Sequence, residues 1–447
     1  MTRKRGTETE YLIIGNSAGA IGAAEAIREA DAAGTLTMVS DEPYPAYSRP
    51  LIAKYLAGER GFDRMLYRPA DFYERNAIRL LPGKRATGLD LDDHVVTLEG
   101  GERIRWKRLL IASGGRPIVP QVSGMDKRGV FNFITFDDAR AIDGFLGNAT
   151  SAVVIGGGLI GISASEALAR RGIAVTIVEM KEGILNTILD AEASAMAAAA
   201  VESAGVRIIV GHTVAEVKGR ELVTSVVLDN GETIACSLVV VAIGVLPRID
   251  LAQGSGIAVN RGIVVDRRMA TSHPDVFACG DAAESYDFVI GGNRLTPVWP
   301  NAHIGGRIAG FNMAGVEKEY GGGTAMNSLT YFGTSIVSAG SVTGTGDEGC
   351  EVLVRRGNGT YKKVILRDDV MVGLICIGDI EKSGMLYGLM RDRVNVRDFK
   401  GKLLDDDFGL VHLPRELWQR KLGMSPSADA ASPGVSPEEG VTARAGE

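Results

Sequence analysis

The stretch that most constrains this chain runs from Ala152 to Glu179, A-V-V-I-G-G-G-L-I-G-I-S-A-S-E-A-L-A-R-R-G-I-A-V-T-I-V-E. A β-branched run, Val153 to Ile155, enters a complete G-x-G-x-x-G at Gly156, Gly158 and Gly161. An Ala-rich segment of helical character follows, then a second strand, Val175 to Val178, with Glu179 at its end. This predicts a βαβ nucleotide-binding unit. Gly156 permits the tight strand-to-helix turn, Gly158 lets the backbone approach a pyrophosphate, and Gly161 allows close helix-to-strand packing. The phosphates then sit on the free N–H groups at the helix start, with Ile160 among the first helical residues. A carboxylate at Glu179 accepts hydrogen bonds from both hydroxyls of an adenosine ribose and repels a 2′-phosphate, which favours NADH over NADPH.

The pattern returns in altered form near the N-terminus. Strand Tyr11 to Ile14 leads into Gly15-Asn16-Ser17-Ala18-Gly19-Ala20, a helix runs to about Ala30, and a strand Thr35 to Val39 ends at Ser40-Asp41-Glu42. Gly15, Ser17 and Ala20 stand where the three fingerprint glycines would be. The small Ser17 side chain still allows a pyrophosphate to approach or donates a hydrogen bond to it. One chain with two dinucleotide units brings two dinucleotides together, and the pairing implies a flavin beside a nicotinamide.

With 447 residues the chain has room for two to four domains, and 58 glycines suit many strand-to-helix turns. A net charge of −6 gives no sign of nucleic-acid binding. Cys236, Cys279, Cys350 and Cys376 are scattered, which argues against a disulfide framework, an iron–sulfur cluster or another metal site in this chain. A reducing cytoplasm is the simplest compartment. The apolar run behind Arg3-Lys4-Arg5 is too short for a signal peptide, and no apolar run is long enough to cross a membrane.

From Tyr11 to about Leu422 the chain resembles the FAD- and NAD(P)H-dependent pyridine nucleotide oxidoreductases, flavoproteins with two dinucleotide-binding domains. Arg49-Pro50-Leu51-Ile52-Ala53-Lys54 is similar to the family's R-P-x-x-x-K, whose Arg and Lys lie along FAD. A cation at the flavin edge stabilises anionic reduced flavin, which makes Lys54 the candidate catalytic residue; the alternative is a pair of surface charges. Disulfide reductases of the superfamily carry a redox cysteine in this segment, whereas here no cysteine precedes Cys236. Leu109 to Pro117, with Ala112 and Gly114, resembles the I-A-T-G-x-x-P return strand, and Val241 to Pro247, with Gly244, is its partner. Thr271 to Asp281 ends in the aspartate that the resemblance assigns to the FAD ribityl chain. Cys279 within it reads as a packing residue. Trp299-Pro300 opens the helix that resembles the one packed against the flavin, and His303 on it is either a structural histidine or a functional one.

The resemblance implies an α/β fold: an FAD domain (1–120 and 247–319) with an inserted NAD(H) domain (121–246), a C-terminal α+β interface domain (320–423) and a disordered tail (424–447). Short strands are expected at Tyr331 to Gly333, Ile336 to Val342, Glu351 to Arg355, Tyr361 to Leu366 and Met371 to Ile377, and a helix over Glu381 to Arg393. In relatives that domain supports dimerisation or docks a partner; here it either does so or only stabilises the fold. The basic run Arg391, Arg393, Arg397, Lys400 and Lys402 either steers an acidic redox partner or is a solvated face.

Two departures stand out. Relatives often have Gln where this chain has Gly305. Many also read G-x-E after the NAD fingerprint, its glutamate pairing with the flavin-edge lysine, where this chain reads Gly161-Ile162-Ser163. A buried Lys54 would then need another source of compensation.

The implied activity is an FAD-containing, NAD(H)-dependent oxidoreductase or subunit. It would exchange hydride between NADH and FAD, and single electrons with an iron–sulfur protein or subunit. The relatives most alike serve rubredoxin or nitrite reductase, or are FAD subunits of phenylglyoxylate dehydrogenase or aldehyde oxidoreductase complexes. A stand-alone reductase of a small acceptor and a non-turnover sensor or assembly subunit are the alternatives, the latter resting on Ser17, Ser163 and Gly305.

Overall fold

The computed structural model of the chain describes residues 7–342 and 349–414; the tail after 424 and the end of the C-terminal domain lie outside the described residues. Two parallel sheets carry the fold. In the first, Ile78–Leu81, Leu36–Val39, Thr7–Ile14 and Arg103–Ile111 lie side by side. Val276–Ala278 pairs with the C-terminal half of Arg103–Ile111, and the antiparallel pair Ala86–Asp90 and Val95–Leu98 with its N-terminal half.

The second sheet orders Arg207–Val210, Ala174–Glu179, Ser151–Ile155, Leu238–Val241 and Val130–Asn132, all parallel. Its central residues Val153, Val154, Ile177 and Val240 are fully buried, as a parallel sheet covered on both faces requires. A three-stranded antiparallel sheet, Val214–Lys218, Ser225–Leu228 and Thr233–Ala235, follows, which the sequence reading did not anticipate. The chain passes between the two parallel sheets twice, and the two passages pair as an antiparallel ribbon, Gly115–Pro117 with Val245–Pro247.

Helix Ala18–Ala30 lies against helix Trp299–Met313, backbone to backbone. The contact is close because it is lined with glycine: a Cβ on Gly306 would stand 1.9 Å from the Gly19 carbonyl oxygen.

The C-terminal sheet is antiparallel, ordered Met326–Tyr331, Thr334–Gly340, Val370–Ile377, Thr360–Arg367 and Cys350–Gly357, with helix Ser383–Arg391 packed on it. Four of the five expected strands correspond. The fifth does not: Phe332 and Gly333 form a two-residue hairpin turn, with φ of 47° and 80°, and the strand precedes them. The backbone twist that a tight hairpin needs overrides the strand preference of an aromatic residue.

One apolar cluster joins all three parts, since Tyr47, Ile52 and Leu56 pack with Phe136 and Ile162 of the second unit and with Ile336 and Ile375 of the C-terminal sheet.

Candidate functional site

The two fingerprints repeat each other in space. Gly15 and Gly156 both have positive φ, 131° and 106°, and a Cβ on either would strike a backbone carbonyl, that of Ala112 at 2.2 Å and of Ala242 at 2.5 Å. Each turn is therefore closed against its own sheet's return strand. Ser17 and Gly158 are the N-caps of helices Ala18–Ala30 and Leu159–Arg170. Ser17 spends no side-chain hydrogen bond on its helix and Gly158 has no side chain to offer one, so the first N–H groups stay available to an anion.

Both helix starts open into one cavity of about 1240 Å³, larger than a single drug-sized ligand needs. Gly15, Ser17, Asp41, Glu42, Arg49, Lys54, Ala112, Gly114, Asp281, Trp299 and Pro300 line it, and so do Gly156, Gly158, Ile160, Glu179 and Gly244. Ala20 and Gly161 are absent from its walls. Ala20 is buried in its helix, and a Cβ on Gly161 would stand 1.9 Å from the Gly156 oxygen, so these two act through packing. His303 is also outside the cavity; its Nδ1 meets the Tyr67 hydroxyl at 3.2 Å, and burial holds its imidazole below the ordinary value.

The carboxylates are placed with care. Glu179 accepts from the Gly157 N–H at 2.6 Å and from the Lys181 N–H at 2.8 Å, which fixes it beside its own fingerprint. At the first site Glu42 is held by Arg49 and by the Tyr47 hydroxyl at 2.6 Å, and Asp41 pairs with Arg248. Arg248 and Tyr47 were missed in the sequence. Arg248 directly follows Val245-Leu246-Pro247, whereas nothing local marks Tyr47. Asp281 borders the cavity, and among the described residues no protein donor reaches its carboxylate. Burial pushes that carboxyl above the ordinary range, opposed by the Arg49 charge.

Lys54 is neither buried nor unpartnered. Its Nζ lies 3.1 Å from Glu59 Oε2, and Glu59 also meets Arg170 at 2.8 Å, which in turn meets Glu166 at 2.9 Å. The counter-ion comes from the lysine's own segment. Ser163, in the glutamate's place, bonds Tyr331 of the C-terminal sheet. Gly305 is not in the cavity wall; a Cβ there would rest against Cys279 and Met269.

The cavity has one wall thiol, Cys279, which burial pushes up to about 12, so it is a neutral packing group. The basic run of the C-terminal domain is not a free cationic face. Arg391 pairs with Asp392, Arg397 with Asp369, Lys400 with Glu351 and Asp369, and Lys402 with Asp405, while Arg393 donates to the Phe288 carbonyl. No helix among the described residues is long and apolar enough to cross a membrane.

The residues present fit two dinucleotides. A Cβ on Gly158 would meet no atom within 4 Å, which leaves a space beside the helix N-terminus for a phosphate, and Asp281 offers an acceptor in the cavity wall.

Comparison with known proteins agrees. The chain is 32% identical over 401 residues to the NADH-dependent phenylglyoxylate dehydrogenase subunit epsilon of Aromatoleum evansii, covering 89% of this chain and 94% of that one. It is 29% identical to the NADH-rubredoxin oxidoreductase of Clostridium acetobutylicum over 83% of this chain and 92% of that one. The crystal structure of NADH:rubredoxin oxidoreductase from that organism superposes with a TM-score of 0.73 at 27% identity, covering 91% of this chain and 99% of the other. Residues 326–394 match the rubredoxin NAD+ reductase C-terminal domain. Residues 9–306 match the pyridine nucleotide-disulphide oxidoreductase model, and the chain, with two Rossmann-type domains and a C-terminal domain around a common cavity, belongs to that family.

Proposed function

We propose that this chain is an FAD-containing, NADH-linked oxidoreductase that exchanges two electrons with NADH and passes them singly to an iron–sulfur protein or subunit. The observation that carries the reading is the single cavity into which both fingerprint helices open. FAD in that cavity supplies the conversion between a two-electron nicotinamide and one-electron carriers.

The chain's own residues have separable tasks. The N–H groups after Ser17 and Gly158 bind the two pyrophosphates. Glu179, already fixed by two backbone N–H groups, holds the nicotinamide dinucleotide's ribose and excludes a 2′-phosphate. Asp281 accepts hydrogen bonds from sugar hydroxyls. Lys54, with Glu59 behind it, sets a positive charge in the wall where reduced flavin develops negative charge. No thiol takes part, which leaves an external carrier as the acceptor. The reading also divides the chain near residues 120 and 247, next to the ribbon of Gly115–Pro117 and Val245–Pro247. The departures at Ser17 and Gly305 leave the cavity open, so a non-turnover role gains nothing from them.

The test is an anaerobic titration of the purified chain, following the flavin absorbance. Stoichiometric bleaching by NADH, with little response to NADPH, is expected. A yellow protein that NADH leaves oxidised would overturn the catalytic reading, and a colourless one would overturn the first site.

A further inference from the structure

The loop between strand Ala174–Glu179 and helix Ala191–Ser203 is anchored at both ends, and the two anchors belong to different domains. It runs K-E-G-I-L-N-T-I-L from Lys181 to Leu189. Its apolar residues Ile184, Leu185, Ile188 and Leu189 are buried, which leaves the polar pair Asn186 and Thr187 in the cavity wall. At the fingerprint, the Gly157 N–H donates to Glu179 at 2.6 Å and the Gly157 carbonyl accepts from the Leu185 N–H at 2.8 Å. The approach is close, since a Cβ on Gly157 would stand 2.9 Å from Ile184 Cγ2. Leu185 takes this place at a φ of 53°, in the left-handed region that bulky residues seldom enter.

The far anchor is Asp190. Its Oδ1 caps helix Ala191–Ser203 through the Ala193 N–H at 3.0 Å, and its Oδ2 accepts from Lys363 Nζ at 2.8 Å and from the Tyr361 hydroxyl at 2.7 Å. Lys363 is almost fully buried on the C-terminal sheet, so its charge fixes where that carboxylate must lie. One turn on, Ser194 Oγ donates to the Ile184 carbonyl at 2.7 Å. The Ile184–Leu185 peptide is thus held from both sides, by the capped helix through its carbonyl and by Gly157 through its N–H. Asp190 itself does not border the cavity. A strained residue persists only while its surroundings hold it, so release of Asp190 lets Leu185 relax and takes Asn186 and Thr187 out of the wall.

We propose that Asp190, held by Lys363 and Tyr361, is a positioning residue for the second dinucleotide site, and that it couples dinucleotide binding to the seating of the C-terminal sheet. The inference rests on the NADH-linked reading above and extends it to the control of affinity. Such coupling is reciprocal: whatever loosens the sheet weakens dinucleotide binding, and the dinucleotide tightens the sheet by the same factor.

The experiment uses the FAD-loaded full chain and ADP-ribose, which carries the adenine half of the dinucleotide and no reacting ring. Asp190→Asn keeps the Oδ1 cap but sets an amide NH2 against two donors. It should weaken calorimetric ADP-ribose binding by about tenfold, and Lys363→Met should do the same. Tyr361→Phe should weaken it by about threefold. Flavin content should stay at the wild-type level in all three, since the first site lies on the other parallel sheet. Glu192→Ala, which removes the exposed pair with Arg356 between the same two elements, should leave the affinity unchanged. In the wild type, saturating ADP-ribose should slow amide deuterium exchange over Thr360–Arg367, a response that a merely structural aspartate would not produce. In Asp190→Asn the same occupancy should leave that exchange as it was. ADP-ribose affinity that survives both Asp190→Asn and Lys363→Met overturns the proposal, and so does a wild-type sheet whose exchange ignores the ligand. If those two variants do not fold, Tyr361→Phe and the wild-type exchange decide it by the same criteria. A wild type that NADH bleaches but whose affinity ignores Asp190 overturns this inference and leaves the enzyme reading standing; one that binds no ADP-ribose overturns both.

Discussion

At the scale of single residues, the site shows how one substitution is absorbed by others. Where relatives place a glutamate, Ser163 leaves room for a phenol, and the lysine that lost that partner takes Glu59 from its own segment. Lys54 holds the Glu59 carboxyl below its ordinary range, so the pair stays ionic at neutral pH. The cysteines differ in the opposite sense. Burial pushes the thiols up, Cys236 to about 11 and Cys279 and Cys376 to about 12. A raised thiol pKa keeps the unreactive protonated form through the whole working range. The folded protein at pH 8 should therefore take up at most one equivalent of iodoacetamide, at the partly exposed Cys350, and keep its NADH-dependent reduction of an artificial acceptor. Peptide mapping that finds modified Cys279, or inactivation in step with labelling, would restore a thiol mechanism.

Among the elements, the helix pair Ala18–Ala30 and Trp299–Met313 is the joint on which the first site depends. It carries Ser17 at the start of one helix and Trp299 and Pro300 at the start of the other, all in the cavity wall. Two neighbouring glycines on the second helix make a sharp comparison. A methyl on Gly306 would stand 1.9 Å from the Gly19 oxygen, so the helices must part; one on Gly305 would rest 3.6 Å from Cys279 Cβ and Met269 Sδ, ordinary contact. Gly306→Ala should cost about 2 kcal/mol by overpacking and lower the FAD content. Gly305→Ala should be neutral or more stable by up to about 1 kcal/mol, because alanine is the better helix former. Urea denaturation and the flavin-to-protein absorbance ratio read both. Equal effects of the two substitutions would show that helix approach does not govern the site.

For the molecule as a whole, the C-terminal sheet is locked to the second unit by an ionic cluster. Lys363, almost fully buried, donates to Asp190 at 2.8 Å; Tyr361 donates to the same carboxylate at 2.7 Å; and Asp190 caps helix Ala191–Ser203 through the Ala193 N–H. Burial alone would push Asp190 up, but these donors outweigh it and hold its carboxyl below the ordinary range. Asp190→Ala strands a buried ammonium and should cost about 3 kcal/mol. Glu192→Ala, which removes the exposed bidentate pair with Arg356, should leave the denaturation midpoint nearly unchanged. The sign of the pH dependence follows from the depressed carboxyl. Its contribution is complete above the unfolded value of about 3.9 and is lost as pH falls toward the lower folded value. The gap between wild type and Asp190→Ala in denaturation midpoint should therefore close below about pH 4. A gap that is constant with pH would mean that the ion pair does not carry the stability.

The sequence by itself determined both cofactor units, because a glycine fingerprint between a strand and a helix is a local requirement of backbone geometry. Gly15 and Gly156 need positive φ and a carbonyl at van der Waals distance, and no other residue supplies both. The places of Glu179 and Asp281 in the cavity wall were legible too, the first from its βαβ unit and the second from the family resemblance. Tertiary structure alone decided the partners. Lys54 to Glu59, Ser163 to Tyr331, Glu42 to Arg49 and Tyr47, and the pairing of the basic run are choices among charges and hydroxyls of similar chemistry. Hydrogen-bond reach settles them, and that depends on how three units pack around one apolar cluster. The same holds for the turn at Phe332 and Gly333, whose place on the second cofactor helix is a fact of packing that a sequence separation of 168 positions between Ser163 and Tyr331 does not record.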